Sequence, residues 1–361
     1  MSDVDPAFDT IAGLFDQVTD EYALPGAALS VYLGGSVVLD VARGKGWSSE
    51  SLVDVASVSK AAASVSLLAM VEDGDVDIEA PVATYWPEFA QAGKSAITVG
   101  QLLRHEAGLV GIRSPHLPGD VWLHWDEMVG WLEREKPWWP PGTAHGYHPY
   151  TFGHLVGEVV RRASGRTLGT FFQDRVARPF GIDFFIGLPK DMDARVVDLV
   201  RLPVRGGAGR DRDSLLQQLN NPVDPGVDFR NSPQWRRAEI PATNGHASAQ
   251  GVARLAALLA GLGQLDGCRL LSTDLVMRAS QVQTRGRDVV SESDVQYGLG
   301  FTIFGPSAFG SPGGFGSRLY ADTALGLGIG YVQNSGLPEY DCTLPSRRLI
   351  AAVVDAAREV I

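Results

Sequence analysis

Ser57-Val58-Ser59-Lys60 heads an apolar stretch, SVSKAAASVSLLAMVEDG, that closes on Gly74. Residues three apart share a helix face, so the Ser57 hydroxyl and the Lys60 amine can meet. A serine hydroxyl is a weak nucleophile until a base takes its proton. A lysine serves as that base when desolvation depresses its pKa. Val53, Val55 and Ala56 before the motif and three alanines after it supply an apolar setting. Ser57 stands at the expected helix start, where unpaired backbone N–H groups and the positive dipole end favour developing negative charge. The competing interpretation is a helix-capping serine beside an exposed lysine. Against it, Lys60 is the only charge between Asp54 and Glu72, whereas an exposed helix face carries several. Only five of the 31 Lys+Arg residues are lysines, at 45, 60, 94, 136 and 190, and Arg cannot shed its proton.

A second candidate lies in PPGTAHGYHPY, residues 140–150, just before the helix-like FGHLVGEVVRRASG. A rigid Pro/Gly loop ahead of a helix can hold Tyr147 at a cleft edge. The alternative is a tyrosine of the core or its rim. His145 and His148 flank it and could tune its acidity. Five of the eight tryptophans fall within residues 122–139. They either pack a helical lobe or, as with Trp138 and Trp139 beside the Tyr147 loop, wall an apolar acyl pocket.

Other chemistries find little support. None of the seven histidines forms a His-x-x-x-His pair, and the two cysteines, Cys268 and Cys342, are distant, so no metal and no cofactor are expected. Two cysteines are also too few for a disulfide framework. Gly326-x-Gly328-x-Gly330 lacks dinucleotide-binding spacing and reads as sheet packing. The absence of a Gly-x-Ser-x-Gly elbow argues against an α/β-hydrolase. The formal net charge of −11 disfavours nucleic acid, which needs clustered Lys and Arg. With 45% hydrophobic and 20% charged residues the composition is globular, and no apolar run reaches the roughly 18 residues of a membrane span. MSDVDPAFDT has no secretory pattern, so a cytoplasmic protein is expected.

The elements that must position these residues follow from periodicity. Residues 8–22 carry apolar positions at helical spacing. GAALSVYL and SVVLDVAR around Gly34-Gly35 read as a β-hairpin. Helices are expected from Ser57 and Ser248, at 101–103, 152–162 and 168–176, and from about 346 to the end. YGLGFTIF, SRLYADT and LGLGIGYVQN read as strands, and residues 206–237 as a long ordered loop or lid. With strands at both ends and helices between, the simplest packing is one antiparallel sheet with the terminal helices on one face, plus an all-helical lobe. Residues 1–60 and 245–361 would form the sheet domain and 61–244 the helical one, with the site in the cleft between them.

SVSK, LLRHEAGL (102–109), PGTAHGY (141–147), NGHASAQGVARL (244–255) and SPGGFGSRLYAD (311–322) occur in an order that resembles the class C β-lactamase and penicillin-binding-protein superfamily, most like the family VIII carboxylesterases. The resemblance covers nearly the whole chain and implies an α/β (α+β), β-lactamase-like fold. It implies Ser57 as nucleophile, Lys60 as its partner, and Tyr147 as the tyrosine exchanging protons with Ser57 and the leaving group. The third motif of that family maps to Ser311-Pro312-Gly313, with Ser311 and Gly313 toward the substrate. The N–H groups of Gly314 and Ser57 would form the oxyanion hole.

Two departures bear on substrate. Pro149 stands where β-lactamases have Asn, and no Lys-Thr-Gly occurs downstream, the only lysines after Lys94 being followed by Pro137 and Asp191. Arg318 could substitute as a cation. The losses favour a neutral ester over a β-lactam or peptide carboxylate, and the substrate expected is a small-molecule ester of short or medium acyl chain. Alternatives with the same residues are an amidase or peptidase, a weak β-lactamase, an acyltransferase, or a silent sensor module.

Overall fold

Leu327, Ile329 and Tyr331 alternate with Gly328, Gly330 and Val332 along one strand, and the two faces they define organise the molecule. The computed structural model describes residues 6–114, 116–201, 226–336 and 343–361. Its main sheet holds β1 (Gly26–Leu33), β2 (Ser36–Gly44), β3 (Thr284–Arg287), β4 (Asp294–Tyr297), β5 (Thr302–Ile303), β6 (Ala308–Pro312), β7 (Arg318–Asp322) and β8 (Leu327–Gln333). The order is β2-β1-β8-β7-β6-β5-β4-β3, antiparallel throughout, so both ends of the chain meet where β1 pairs with β8. Gly34 and Gly35, both at positive φ, close the β1–β2 hairpin.

Leu327, Ile329 and Tyr331 face helices α1 (Asp9–Glu21) and α5 (Leu344–Val360), where they meet Phe15, Val18, Leu349 and Val353. The opposite face receives α4 (Ala249–Ala260), which begins at the Ser248 cap. A Cβ at Gly328 would lie 2.4 Å from Ala257 N, and one at Gly330 would lie 2.2 Å from Ala249 O. The glycines therefore let helix backbone rest directly on the sheet. Beyond α4 lie α2 (Ser59–Glu72), α3 (Thr151–Ser164) and shorter helices, in one apolar core shared with Phe309, Leu319 and Val332 of the sheet. This is the expected α+β architecture, a β-lactamase-like antiparallel sheet with helices.

Several local expectations are corrected. YGLGFTIF is not one strand: β4 ends at Tyr297 and β5 starts at Thr302. Gly298 N–H turns back to Phe301 O, and Gly300, at φ +83°, presses on α2, where a Cβ would sit 2.1 Å from Ser64 Oγ. Strand β3 was not foreseen, since TRGR holds no apolar residue, and β6, whose β signal Gly and Pro dilute, was expected only through the resemblance, which put the third motif at 311–313 on a strand. The 168–176 helix stops at Phe172 and continues as a wide π turn, Gln173–Ala177. Of the expected 206–237 loop, residues 206–225 lie outside the described residues, and the rest contains the short helices Val227–Arg230 and Pro233–Arg237. Cys268 is exposed, and Cys342 lies outside the described residues. Among the described residues no helix is long and apolar enough to cross a membrane, and no three His, Cys, Asp or Glu side chains are grouped to hold a metal.

Candidate active site

Ser57 lies two residues before the helix rather than in its first turn. α2 starts at Ser59, and Ser57 occupies a 3₁₀ turn, Ala56–Val58, that leads into it. The strand Val53–Asp54 delivers this turn and pairs with His246–Ala247, which also pairs with Phe184–Phe185. Ala56 has φ +47°, a conformation disfavoured for any residue with a Cβ. Its N–H is held by Asp54 Oδ1 at 2.9 Å. Asp54 also accepts from Arg230 Nη2 (2.7 Å) and Trp235 Nε1 (2.9 Å). Arg230 is fully buried, donates to Thr243 O, and lies over the rings of Trp235 and Phe315. From the sheet side, Ser311 Oγ on β6 donates to Ser57 O at 2.8 Å. Gly313 packs so closely that a Cβ would lie 2.5 Å from Val55 O. The turn is thus gripped from two sides.

Lys60 is 3% exposed on a helix whose residues 59–70 are all buried. Its Nζ lies 3.1 Å from Ser57 Oγ and donates to Pro149 O and Ala242 O, both at 2.8 Å. No carboxylate pairs with it among the described residues, and burial drives its pKa well below the ordinary lysine value. Pro149 contributes its carbonyl here, at the position where the resemblance would place an asparagine side chain.

Tyr147 shares a hydrogen bond with the Ser57 side chain, and Lys60 Nζ lies 4.6 Å from its ring centroid. Burial pushes the phenol above the usual tyrosine range; the Ser57 hydrogen bond pulls it down, and the charge of Asp288 pushes it up. Each N–H of the loop around it finds a different acceptor. Gly146 N–H donates to His105 O (3.0 Å), Tyr147 N–H to Asp288 Oδ2 (2.8 Å) and His148 N–H to His105 Nδ1 (3.3 Å). His148 is a buried strut: Leu109 N–H donates to its Nε2, its Nδ1 bonds Gly146 O, and burial lowers its pKa to about 3. It stays neutral near pH 7. His145 touches Thr284 Oγ1 and the edge of the Tyr297 ring.

Two cavities meet this cluster. One of about 170 Å³ is lined by Ser57, Tyr150, Arg230, Thr243, Gly314 and Phe315. Another, of about 920 Å³, has Tyr147, Pro312 and Arg318 on its wall. Gly314 therefore stands in the same cavity as Ser57, while the Gly313 N–H is taken by Ser317 O at 2.7 Å. Trp138 and Trp139 line neither cavity. They pack with Val110 and Val290 around Tyr147, and their indole N–H groups donate to Gly111 O and Ala144 O. Asp54, Arg230 and Asp288 join the cluster without having been singled out from sequence.

An antiparallel sheet backed by terminal helices, with a half-buried serine and a buried lysine of a Ser-x-x-Lys pair at its inner face beside a tyrosine, defines a β-lactamase-type fold. The chain belongs to the Beta-lactamase family, which it matches over residues 11–353, and it is by fold and family a serine hydrolase. It is 31% identical over 294 residues to the esterase/β-lactamase LipL of Mycobacterium tuberculosis, a match covering 75% of this chain and 67% of that protein. The crystal structure of a penicillin-binding protein homologue from Caulobacter crescentus has a TM-score of 0.89 at 33% identity, covering 98% of both chains. That of a family VIII carboxylesterase has a TM-score of 0.88 at 31% identity, with the same coverage.

Proposed function

We infer that this protein hydrolyses carboxylic esters of short or medium acyl chain through an acyl-enzyme on Ser57. The observation that carries this is the surroundings of Lys60 Nζ: one serine hydroxyl, two backbone carbonyls and, among the described residues, no carboxylate. A neutral amine fits that set. Its two N–H groups satisfy Pro149 O and Ala242 O, and its lone pair faces the Ser57 hydroxyl.

Lys60 takes the Ser57 proton as Oγ attacks the ester carbonyl, and the N–H groups of Ser57 and Gly314 hold the oxyanion. The C–O bond to the alcohol breaks as Tyr147 protonates the departing oxygen, and the Lys60 proton restores the phenol. Water then attacks the acyl carbon, giving up its proton along the same route, and the carboxylic acid leaves from Ser57. Pro149 and the missing Lys-Thr-Gly favour a neutral ester. The small Ser57 cavity favours a short acyl group. The name of the family VIII carboxylesterase points to esters, and that of the esterase/β-lactamase LipL to esters and β-lactams alike.

The test is fluorophosphonate labelling with mass-spectrometric mapping, beside turnover of p-nitrophenyl esters of several chain lengths and of nitrocefin. An adduct on Ser57 with ester turnover is expected. No adduct and no turnover would refute the hydrolase, and nitrocefin turnover above ester turnover would reverse the substrate assignment.

A further inference from the structure

Asp288 is fully buried, and it has no arginine or lysine ion-pair partner among the described residues. It sits in the short connection between β3 and β4. Its Oδ1 accepts from Val290 N–H (2.9 Å) and Ser291 N–H (2.8 Å), folding the connection back on itself. Glu292, at φ +57°, and its N–H bond to Asp288 O complete the turn. Oδ2 points the other way and accepts from the Tyr147 N–H (2.8 Å) and the Tyr297 hydroxyl (3.1 Å). One residue on, Val289 N–H donates to His145 O. The connection is therefore clipped to the Tyr147 loop at two successive residues, 288 and 289.

We propose that Asp288 is a positioning residue for Tyr147, its carboxylate fixing the tyrosine's backbone on one oxygen and its own turn on the other. This rests on the Ser57 hydrolase described above. Position matters because Tyr147 must reach Ser57 Oγ and the leaving oxygen at once, and a 1 Å error can cost about 100-fold in rate.

The carboxylate also has an electrostatic consequence. The groups facing Tyr147 are Lys60 from α2, His105 from the turn after Val99–Leu103, His145 and His148 on its own loop, Tyr297 and Asp288 from the β3–β4 hairpin, and, around the larger cavity, Asp294 of β4, Arg318 of β7 and Arg347 of α5. His105 and His148 are held neutral by burial. Burial likewise favours the uncharged amine at Lys60. Asp288 is the carboxylate hydrogen-bonded to the Tyr147 loop, and a negative charge beside a phenol disfavours phenolate. Tyr147 thus remains a proton donor, and the base is Lys60.

Asp288→Asn is the test, because an amide cannot accept on both sides: either the Tyr147 N–H or the turn loses its acceptor. Steady-state kinetics on a p-nitrophenyl ester should show kcat reduced by roughly 10²-fold, KM changed far less, and an alkaline loss of activity beginning at lower pH. A purely structural role would not move the alkaline limb. Phenol ionisation followed by ultraviolet absorbance, as the difference between Asp288→Asn and Asp288→Asn/Tyr147→Phe, should shift the same way. That measurement needs no turnover, so it separates failure of this proposal from failure of the hydrolase assignment. Asp288→Glu keeps the charge and serves if the Asn variant does not fold: it should lose kcat but keep the wild-type alkaline limb. An Asn variant with wild-type kcat and an unmoved limb, or a Glu variant with wild-type kcat, overturns the proposal.

Discussion

Replacing Lys60 with arginine separates a charge that organises the site from a base that acts in it. Arg remains protonated at any working pH, so it can donate to Pro149 O and Ala242 O but cannot receive a proton from Ser57. Among the described residues the groups hydrogen-bonded to Nζ are two carbonyls and the hydroxyl itself, none of them a base that could replace the amine. A positioned general base contributes about 10²–10⁴ in rate, so kcat/KM should fall by about 10³-fold, equivalent to about 4 kcal/mol of transition-state stabilisation. Arg also buries an unpaired charge, so Lys60→Met is its companion. Met has similar length, and leaves each of the two carbonyls unsatisfied at about 1–3 kcal/mol apiece.

The assay is initial-rate hydrolysis of p-nitrophenyl acetate, with active-site titration to count competent enzyme and circular dichroism to verify folding. The pH dependence supplies an independent arm. The folded pKa of Lys60 lies below its unfolded value of about 10.4. Between those two values the unfolded chain holds a proton that the folded enzyme lacks, so stability rises with pH. Wild type should gain stability relative to Lys60→Met from neutral pH toward about pH 10. Folded Lys60→Arg enzyme with kcat/KM within tenfold of wild type would refute the base assignment. Parallel stability profiles for wild type and Lys60→Met would do the same.

Tyr147→Phe should slow hydrolysis of ethyl acetate far more than that of p-nitrophenyl acetate, because nitrophenolate departs without a proton and ethoxide does not; equal losses on both would remove Tyr147 from leaving-group protonation. Asp54→Asn leaves Arg230 buried without its counter-charge and should cost about 3–5 kcal/mol in urea unfolding; a loss under about 1 kcal/mol would mean that the pair does not brace the Ser57 turn. Gly330→Ala forces a Cβ to within 2.2 Å of Ala249 O and should cost at least about 1–3 kcal/mol by thermal melting, whereas an unchanged melting temperature would contradict the α4–β8 contact.

The parts of the site legible in the sequence are those with a local signature. Ser57 and Lys60 share a helix-spaced motif in a charge-free run, and Tyr147 rides a Pro/Gly loop. The sheet was legible where both faces are buried and the residues are β-branched or aromatic, as in β1 and β8, and invisible to periodicity in β6, whose AFGSP has the composition of a turn. Lysine scarcity pointed to Lys60 but did not distinguish it from Lys94. That residue is also fully buried, donates to the carbonyls of Gln91, Glu133 and Glu135, and is lowered to about 8 by burial. Burial alone thus does not mark a base; a hydroxyl at the amine does, and only Lys60 carries one three residues before it.

What stayed hidden was the pair of buried carboxylates. Asp54 lies within three residues of Ser57 but does its work through Arg230 and Trp235, 176 and 181 residues away. Asp288 reaches Tyr147 across 141 residues from a polar stretch, RGRDVVSESD, that has the composition of a solvated loop. In both cases the carboxylate binds a backbone N–H next to a side chain of the proposed catalytic set rather than the side chain itself. The Asp54 contact has the i to i+2 spacing of an Asx turn, which many aspartates share, whereas the Asp288 contact depends on where the chain passes and no spacing rule reveals it. A buried acid is tolerated only when its lone pairs are satisfied. At each of these two positions, the groups that satisfy the carboxylate include the turn that must be held still for chemistry.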